Sequence, residues 1–264
     1  MPKVRVNDIQ MYYEVNGEGF PLLMIMGLSG NLDWWEPRMI QGLSKSFKTT
    51  VFDNRGAGRT EASEKEYTIK LFADDTAGLM DSLGIPKAHV LGISMGGMIA
   101  QELVLNYPEK VEKLVLCSTN CGGEISVPPS GEALNYLTRA GSATSSEEAA
   151  RMAVPLCFSD EFVAKNPDTI ESFLQRMLKA PTSPETSLRQ LGAIMSFGTF
   201  DRLPGIKAPT LVVAGKRDVL IPPGNGSILA KAIPDAKLVL FEESAHGLVE
   251  DIGEATNTIA EFLL

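Results

Sequence analysis

One segment of the sequence is arranged for nucleophilic chemistry. Gly92-Ile93-Ser94-Met95-Gly96-Gly97 sets a serine two residues from a glycine on either side. It lies between an apolar run at 88–93 that reads as a buried strand and a helix-patterned run at 95–106. A sharp strand-to-helix turn of this kind forces the serine into a strained backbone conformation with its hydroxyl exposed. The flanking positions need glycine because side chains there would collide. The helix opening at Met95 directs its positive end at any negative charge that develops beside Ser94, and the Met95 N–H is the first candidate donor for such an oxyanion.

A serine hydroxyl is a weak nucleophile near neutral pH and needs a positioned base. The chain has two histidines. His89 sits at the start of the strand leading to Ser94, several residues back along extended chain, and reads as structural. His246, in Glu243-Ser244-Ala245-His246-Gly247, is the candidate base, in a loop between the last strand signal and the C-terminal helix signal. A base of this kind needs a carboxylate to fix its tautomer. Asp218, in Gly215-Lys216-Arg217-Asp218, follows the penultimate strand signal, and Asp53, Asp201 and Asp251 compete with it.

These groups are far apart in the chain, so the elements between them must bring them together. Residues 3–6 and 10–15 read as an edge hairpin turned by Asn7-Asp8, and 21–26 as a strand buried on both faces and ended by Gly27. Asp33 is expected to cap a short helix, 48–52 to form a strand, and 68–83 to form a helix with apolar residues spaced three and four apart. Residues 111–117, 209–215 and 237–241 carry further strand signals, and 226–233 and 249–264 helical ones. Alternating strand and helix implies a mostly parallel sheet with right-handed crossovers. From 121 to 203, Gly, Pro and Ser punctuate helix-like pieces with no clear strand, which predicts a helical lid inserted within one sheet.

The 264 residues suffice for one sizeable core, and 44% hydrophobic with 22% charged residues fits a water-soluble body. A net charge of −9 argues against nucleic acid and against anionic membranes as partners, since both are bound through Lys and Arg. Cys117, Cys121 and Cys157 form an odd set without CxxC spacing, so neither a disulfide framework nor a thiolate metal site is expected. The first residues lack the pattern of a secretion signal, and no apolar run approaches the ~20 residues that span a bilayer. The expectation is a cytoplasmic protein that needs no metal or cofactor and has a small-molecule substrate, with assembly into a homo-oligomer left open.

With the glycine-flanked serine, the histidine loop and the order Ser, Asp, His taken together, the chain resembles the α/β-hydrolase superfamily over nearly its whole length. The resemblance is closest to small carboxylesterases, lactonases and cofactor-free perhydrolases with a helical cap. It implies the α/β-hydrolase fold, with a core of residues 1–120 and 204–264 and a lid of 121–203. It places the catalytic acid at Asp218. Some relatives carry that acid after the strand corresponding to 111–117, but Ser118-Thr119-Asn120 offers no carboxylate there. It also implies a second oxyanion donor at the Leu28 N–H. Relatives often have His-Gly where this chain has Met26-Gly27, a departure that a main-chain donor tolerates.

The expected chemistry is acyl transfer from a carboxylic ester of small to medium acyl chain to water through Ser94, His246 and Asp218. Lactone opening, of acyl-homoserine lactones or enol-lactones, and perhydrolysis use the same residues. Dehalogenase and epoxide-hydrolase chemistry are disfavoured, because relatives performing them carry aspartate where this chain has Ser94. A ligand-binding protein on the same scaffold is the alternative of another class. Candidate pocket residues are Trp35, Met152 and Met177, with Leu28, Trp34, Met95 and Met195 as further apolar groups.

Overall fold

The structure is a computed structural model describing residues 2–140 and 145–264, the side chains of 136–140 excepted. Strand formation follows the runs of Val, Ile, Leu and Met, whose side chains pack on both faces of a sheet. The strands are β1 (Lys3–Val6), β2 (Ile9–Asn16), β3 (Phe20–Ile25), β4 (Phe47–Phe52), β5 (Ala88–Ile93), β6 (Val111–Cys117), β7 (Thr210–Gly215) and β8 (Lys237–Phe241). They form one eight-stranded sheet in the order β1-β2-β4-β3-β5-β6-β7-β8. The pairs β1–β2 and β2–β4 are antiparallel and the others parallel, so the predicted hairpin does lie at an edge. Asn7 turns that hairpin with φ 51°, a left-handed conformation that asparagine accepts more readily than most residues.

Helices α1 (Pro37–Leu43), α2 (Ile69–Ser82) and α3 (Met95–Asn106) join the early strands. On α2, Ile69, Phe72, Ala73, Thr76, Leu79 and Met80 are buried, matching the predicted spacing of one helical face. Together with α9 (Gly224–Ala232), α2 and α3 cover one side of the sheet, while α1 and α10 (Ile252–Leu263) cover the other.

Between β6 and β7 lie α4 (Gly131–Ala140), α5 (Ser146–Cys157), α6 (Asp160–Lys165), α7 (Pro167–Met177) and α8 (Pro184–Met195). Ser145, Ser159 and Ser183 cap α5, α6 and α8 by accepting a backbone N–H. These helices have their own apolar centre, in which Val154, Phe158, Ile170, Phe173, Leu174 and Met177 pack with Val249 of the core. The two ends of the insertion are tied together where Thr199 N–H donates to Cys121 O over 2.9 Å. Both ends are anchored to α3, because Gln101 Oε1 accepts from Thr199 Oγ1 at 2.7 Å and Gln101 Nε2 donates to Asn120 O at 2.9 Å. No described helix is long and apolar enough to cross a membrane.

The expected cap at Asp33 is corrected. The segment Leu32–Trp34 is a single 3-10 turn capped by Asn31, whose Oδ1 accepts the Asp33 N–H at 2.8 Å, and α1 begins separately at Pro37. Asn31 sits at the turn's first free amide, and Pro37 supplies the φ that opens the next helix. The Asp33 carboxylate instead pairs with Arg59 at 2.5 Å and Lys179 at 3.3 Å.

Candidate active site

β5 runs into α3 without a spacer, and Ser94 occupies the corner with φ 57° and ψ −124°. A non-glycine residue in this region carries roughly 1–3 kcal/mol of strain. The surroundings hold it there: Ser94 N–H donates to Cys117 O at 2.9 Å, and Ser94 O accepts from Gly97 N–H at 2.9 Å and from Thr119 Oγ1 at 2.7 Å. The glycines are steric requirements. A Cβ at Gly92 would lie 2.2 Å from Gly96 O, and one at Gly96 would lie 2.0 Å from Ile25 O. Met95 is buried as the first residue of α3, where the opening turn has no intrahelical acceptor for its N–H.

The loop after β3 closes against this corner. A Cβ at Gly27 would sit 3.0 Å from Ser94 Cβ and 3.5 Å from Ser94 Oγ, so the main chain that carries Leu28 passes directly over the serine. The Leu28 side chain is partly buried against the core of the α2 and α3 side.

His246 and Asp218 meet in the loops that follow β8 and β7. His246 Nδ1 lies 2.7 Å from Asp218 Oδ2, with Asp218 3% and His246 7% exposed. Asp218 Oδ1 accepts the N–H groups of Leu220 at 2.9 Å and Ile221 at 2.8 Å. A carboxylate offers only acceptors, so the ring proton belongs on Nδ1 and the lone pair on Nε2. The two loops are stitched together by Arg217 N–H donating to Ser244 O at 3.0 Å. Gly215 allows the approach, since a Cβ there would lie 2.1 Å from Ser244 O. The insertion reaches the same loop, as Gly247 N–H donates to Cys157 O at 2.9 Å.

The competing acids have other work. Asp251 accepts from Ser244 Oγ at 2.8 Å and so braces the histidine loop. Asp53 is fully buried, accepts the N–H groups of Leu32 at 2.7 Å and Arg59 at 2.8 Å, and burial pushes its pKa up. Asp201 lies in the 3-10 segment Phe200–Gly205, which follows the last of the inserted helices. His89 is packed between Phe20 and Phe47, and burial pulls it down to about 4, so it remains neutral at ordinary pH. Burial pushes the thiols of Cys117 and Cys157 up to about 12, which leaves neither as a nucleophile. Among the described residues no three His, Cys, Asp or Glu side chains are grouped to hold a metal ion.

The apolar candidates are dispersed. Trp35 is 4% exposed within the core on the α1 and α10 side, and Met177 is buried in the centre of the insertion. Met152 is half-buried on α5. Met195, at the end of α8, is 79% exposed, which removes it from any enclosed pocket in this conformation. Trp34 is the residue that bridges body and insertion, packing edge-on against Phe173 at 5.9 Å between ring centroids. The sequence reading also missed Gln190, which is fully buried on α8 and accepts the Ser29 N–H at 2.8 Å. No local pattern marks a contact between residues so far apart in the chain.

The family described as alpha/beta hydrolase fold matches residues 21–251. A relative in Azorhizobium caulinodans, named carbamate hydrolase RutD, is 30% identical, covering 93% of this chain and 91% of its own. Another in Mycobacterium tuberculosis, named non-heme bromoperoxidase BpoC, is 30% identical over 95% of each chain. Among solved structures, the enol-lactonase from Burkholderia xenovorans LB400 superposes with a TM-score of 0.86 at 27% identity, covering 99% of both chains.

Proposed function

The chain belongs to the alpha/beta hydrolase fold family, and from that premise we propose that it is a serine hydrolase cleaving carboxylic esters of small to medium acyl chain. The observation carrying this reading is the strained Ser94 corner, φ 57° and ψ −124°, in a protein that also hydrogen-bonds a buried His246 to a buried Asp218. A fold maintains such strain where the hydroxyl it presents is put to use, which speaks against a pure binding role.

In the proposed cycle, Ser94 Oγ attacks the ester carbonyl carbon while its proton passes to His246 Nε2. The C=O electron pair moves to oxygen, and the Met95 and Leu28 N–H groups stabilise that charge, each donor being worth ~3 kcal/mol. The C–O bond to the alcohol breaks as Nε2–H protonates the departing oxygen, leaving an acyl group on Ser94. Water then adds with His246 again taking the proton, and collapse releases the carboxylic acid and restores the serine. Asp218 holds the ring in the required tautomer and stabilises the imidazolium.

A second reading is favoured by the likeness to the enol-lactonase: the same steps with the leaving oxygen tethered to the acyl chain, so that a single molecule is released. That molecule is a hydroxy acid from a saturated lactone or, after tautomerisation of the enol, a keto acid from an enol-lactone. p-Nitrophenyl acetate and butyrate test the ester reading against a Ser94→Ala variant. Wild-type turnover well above that of the variant supports it, and equal rates reject it. A lactone panel separates the two readings, since faster opening of a lactone than of any open ester moves the assignment to the second.

A further inference from the structure

Ser29 is the point at which the inserted helices grip the loop after β3. Its N–H donates to Gln190 Oε1 over 2.8 Å, and its hydroxyl donates to the Ser187 hydroxyl over 2.8 Å. Close by, Asn31 Nδ2 donates to Ala180 O. On the opposite side, Asp53 accepts the Leu32 N–H at 2.7 Å, and Asn54 Nδ2 donates to Met26 O at 2.9 Å. The loop is therefore clamped between the core and the segment 180–190.

What the clamp holds is a strained turn. Gly30 N–H donates to Gly27 O at 3.2 Å, with Leu28 and Ser29 at the two central positions, and Ser29 has φ 60°. The second central position of such a turn favours glycine or asparagine, so a serine stays there only while its surroundings over-determine it. The same turn sets the direction of the Leu28 N–H, and its first residue abuts Ser94. Gln190 is 0% exposed, and among the described residues its Nε2 has no partner. Only its acceptor oxygen is engaged, and that engagement is with Ser29.

Resting on the acyl-transfer reading above, we infer that Gln190 is a positioning residue for the oxyanion hole. By accepting the Ser29 N–H it holds the turn in the shape that aims the Leu28 N–H at a carbonyl oxygen on Ser94. The insertion thus helps to complete the hole. The consequence falls on the chemical step, because displacing one donor by about an ångström costs ~10- to 100-fold in rate and leaves ground-state binding nearly untouched.

The test compares wild type with Gln190→Leu, which loses the acceptor, and Gln190→Glu, which keeps one in either protonation state. Each is measured on p-nitrophenyl butyrate and with a trifluoromethyl ketone, which binds a serine nucleophile as an oxyanion. The expected result for Gln190→Leu is kcat lower by ~10- to 100-fold with KM within about threefold, inhibitor affinity weakened in parallel, and substantial recovery in Gln190→Glu. An unchanged kcat, a loss confined to KM, or Gln190→Glu no better than Gln190→Leu overturns the inference while leaving the acyl-transfer reading intact. Wild-type turnover that does not depend on Ser94 overturns both. Should Gln190→Leu fail to fold, Gln190→Met, which keeps the length of the side chain and loses the acceptor oxygen, takes its place: a fall in kcat at constant KM supports the inference and an unchanged kcat overturns it.

Discussion

His246 Nδ1 and Asp218 Oδ2 stand 2.7 Å apart, and the other oxygen of the same carboxylate is held by two backbone N–H groups. Asp218 is thus held by two main-chain donors on one oxygen while its other oxygen fixes the imidazole. Replacing it with asparagine keeps size and shape but presents an amide that can donate to Nδ1 and favour the wrong tautomer. The expected outcome for Asp218→Asn is a fall in kcat of ~10³- to 10⁴-fold with little change in KM, read by steady-state kinetics on p-nitrophenyl butyrate. A loss of less than about tenfold would remove Asp218 from the triad.

The glycines around Ser94 separate folding from catalysis. Gly96→Ala sets a Cβ 2.0 Å from a main-chain oxygen that cannot yield, and it should cost about 3 kcal/mol or more, seen as lost soluble protein or a large drop in Tm. Gly27→Ala meets Ser94 Cβ at 3.0 Å, a contact relieved by a shift of a few tenths of an ångström. That variant should fold with a Tm near wild type yet lose ~10-fold or more in kcat/KM, because the shift is taken up at the nucleophile.

Among the described residues, Arg55 is the largest fully buried side chain. Its guanidinium pairs with Asp75 at 2.6 Å and with Asp8 at 2.8 Å, and these contacts hold the Asp8 carboxyl well below the usual carboxylate range. Arg55→Leu strands the buried Asp75 and is expected to cost about 3–5 kcal/mol, or roughly 10 °C in Tm. Adding Asp75→Leu should recover much of that loss, because the uncompensated charge is then gone. A double variant no more stable than the single one would contradict this account.

His89 makes a pH prediction with a definite sign. Burial lowers its pKa to about 4 from the ordinary histidine value of about 6.5, so over that interval the unfolded chain binds a proton that the folded chain refuses. Its contribution to stability is intact above about pH 6.5, declines as the pH falls toward about 4, and levels off below that. Its Nδ1 has no partner among the described residues, so His89→Leu should be near neutral or stabilising at pH ~7. The variant should lose less stability than wild type between pH ~7 and ~4.5, as read by urea midpoints, and parallel losses would refute the assignment.

The legible parts of this molecule were those with local causes. Strands such as Leu22 to Ile25 and Val212 to Ala214 announce themselves by unbroken apolar runs, and the Ser94 corner by glycines that sterics demand. The carboxylate was harder, because Asp53, Asp201 and Asp251 follow strands or loops as Asp218 does, and only tertiary contacts separate a brace such as Asp251 from a partner of His246. Asp33 misled because asparagine two positions earlier caps the turn equally well. Gln190 had no signal at all, since its role arises from contact with Ser29 across the interface between insertion and core. Trp34 and Trp35 are neighbours in sequence, yet one bridges to the insertion and the other is absorbed in the core, a difference set by the turn Leu32–Trp34.

The central claim is that Ser94 becomes acylated with His246 as the base, and mass spectrometry of the intact protein after mixing with p-nitrophenyl butyrate or a fluorophosphonate reads it directly. The account predicts a single added acyl or phosphonyl group that maps to Ser94 and is absent from Ser94→Ala and His246→Ala. An unmodified wild-type protein, or a modification on any other residue, would contradict it.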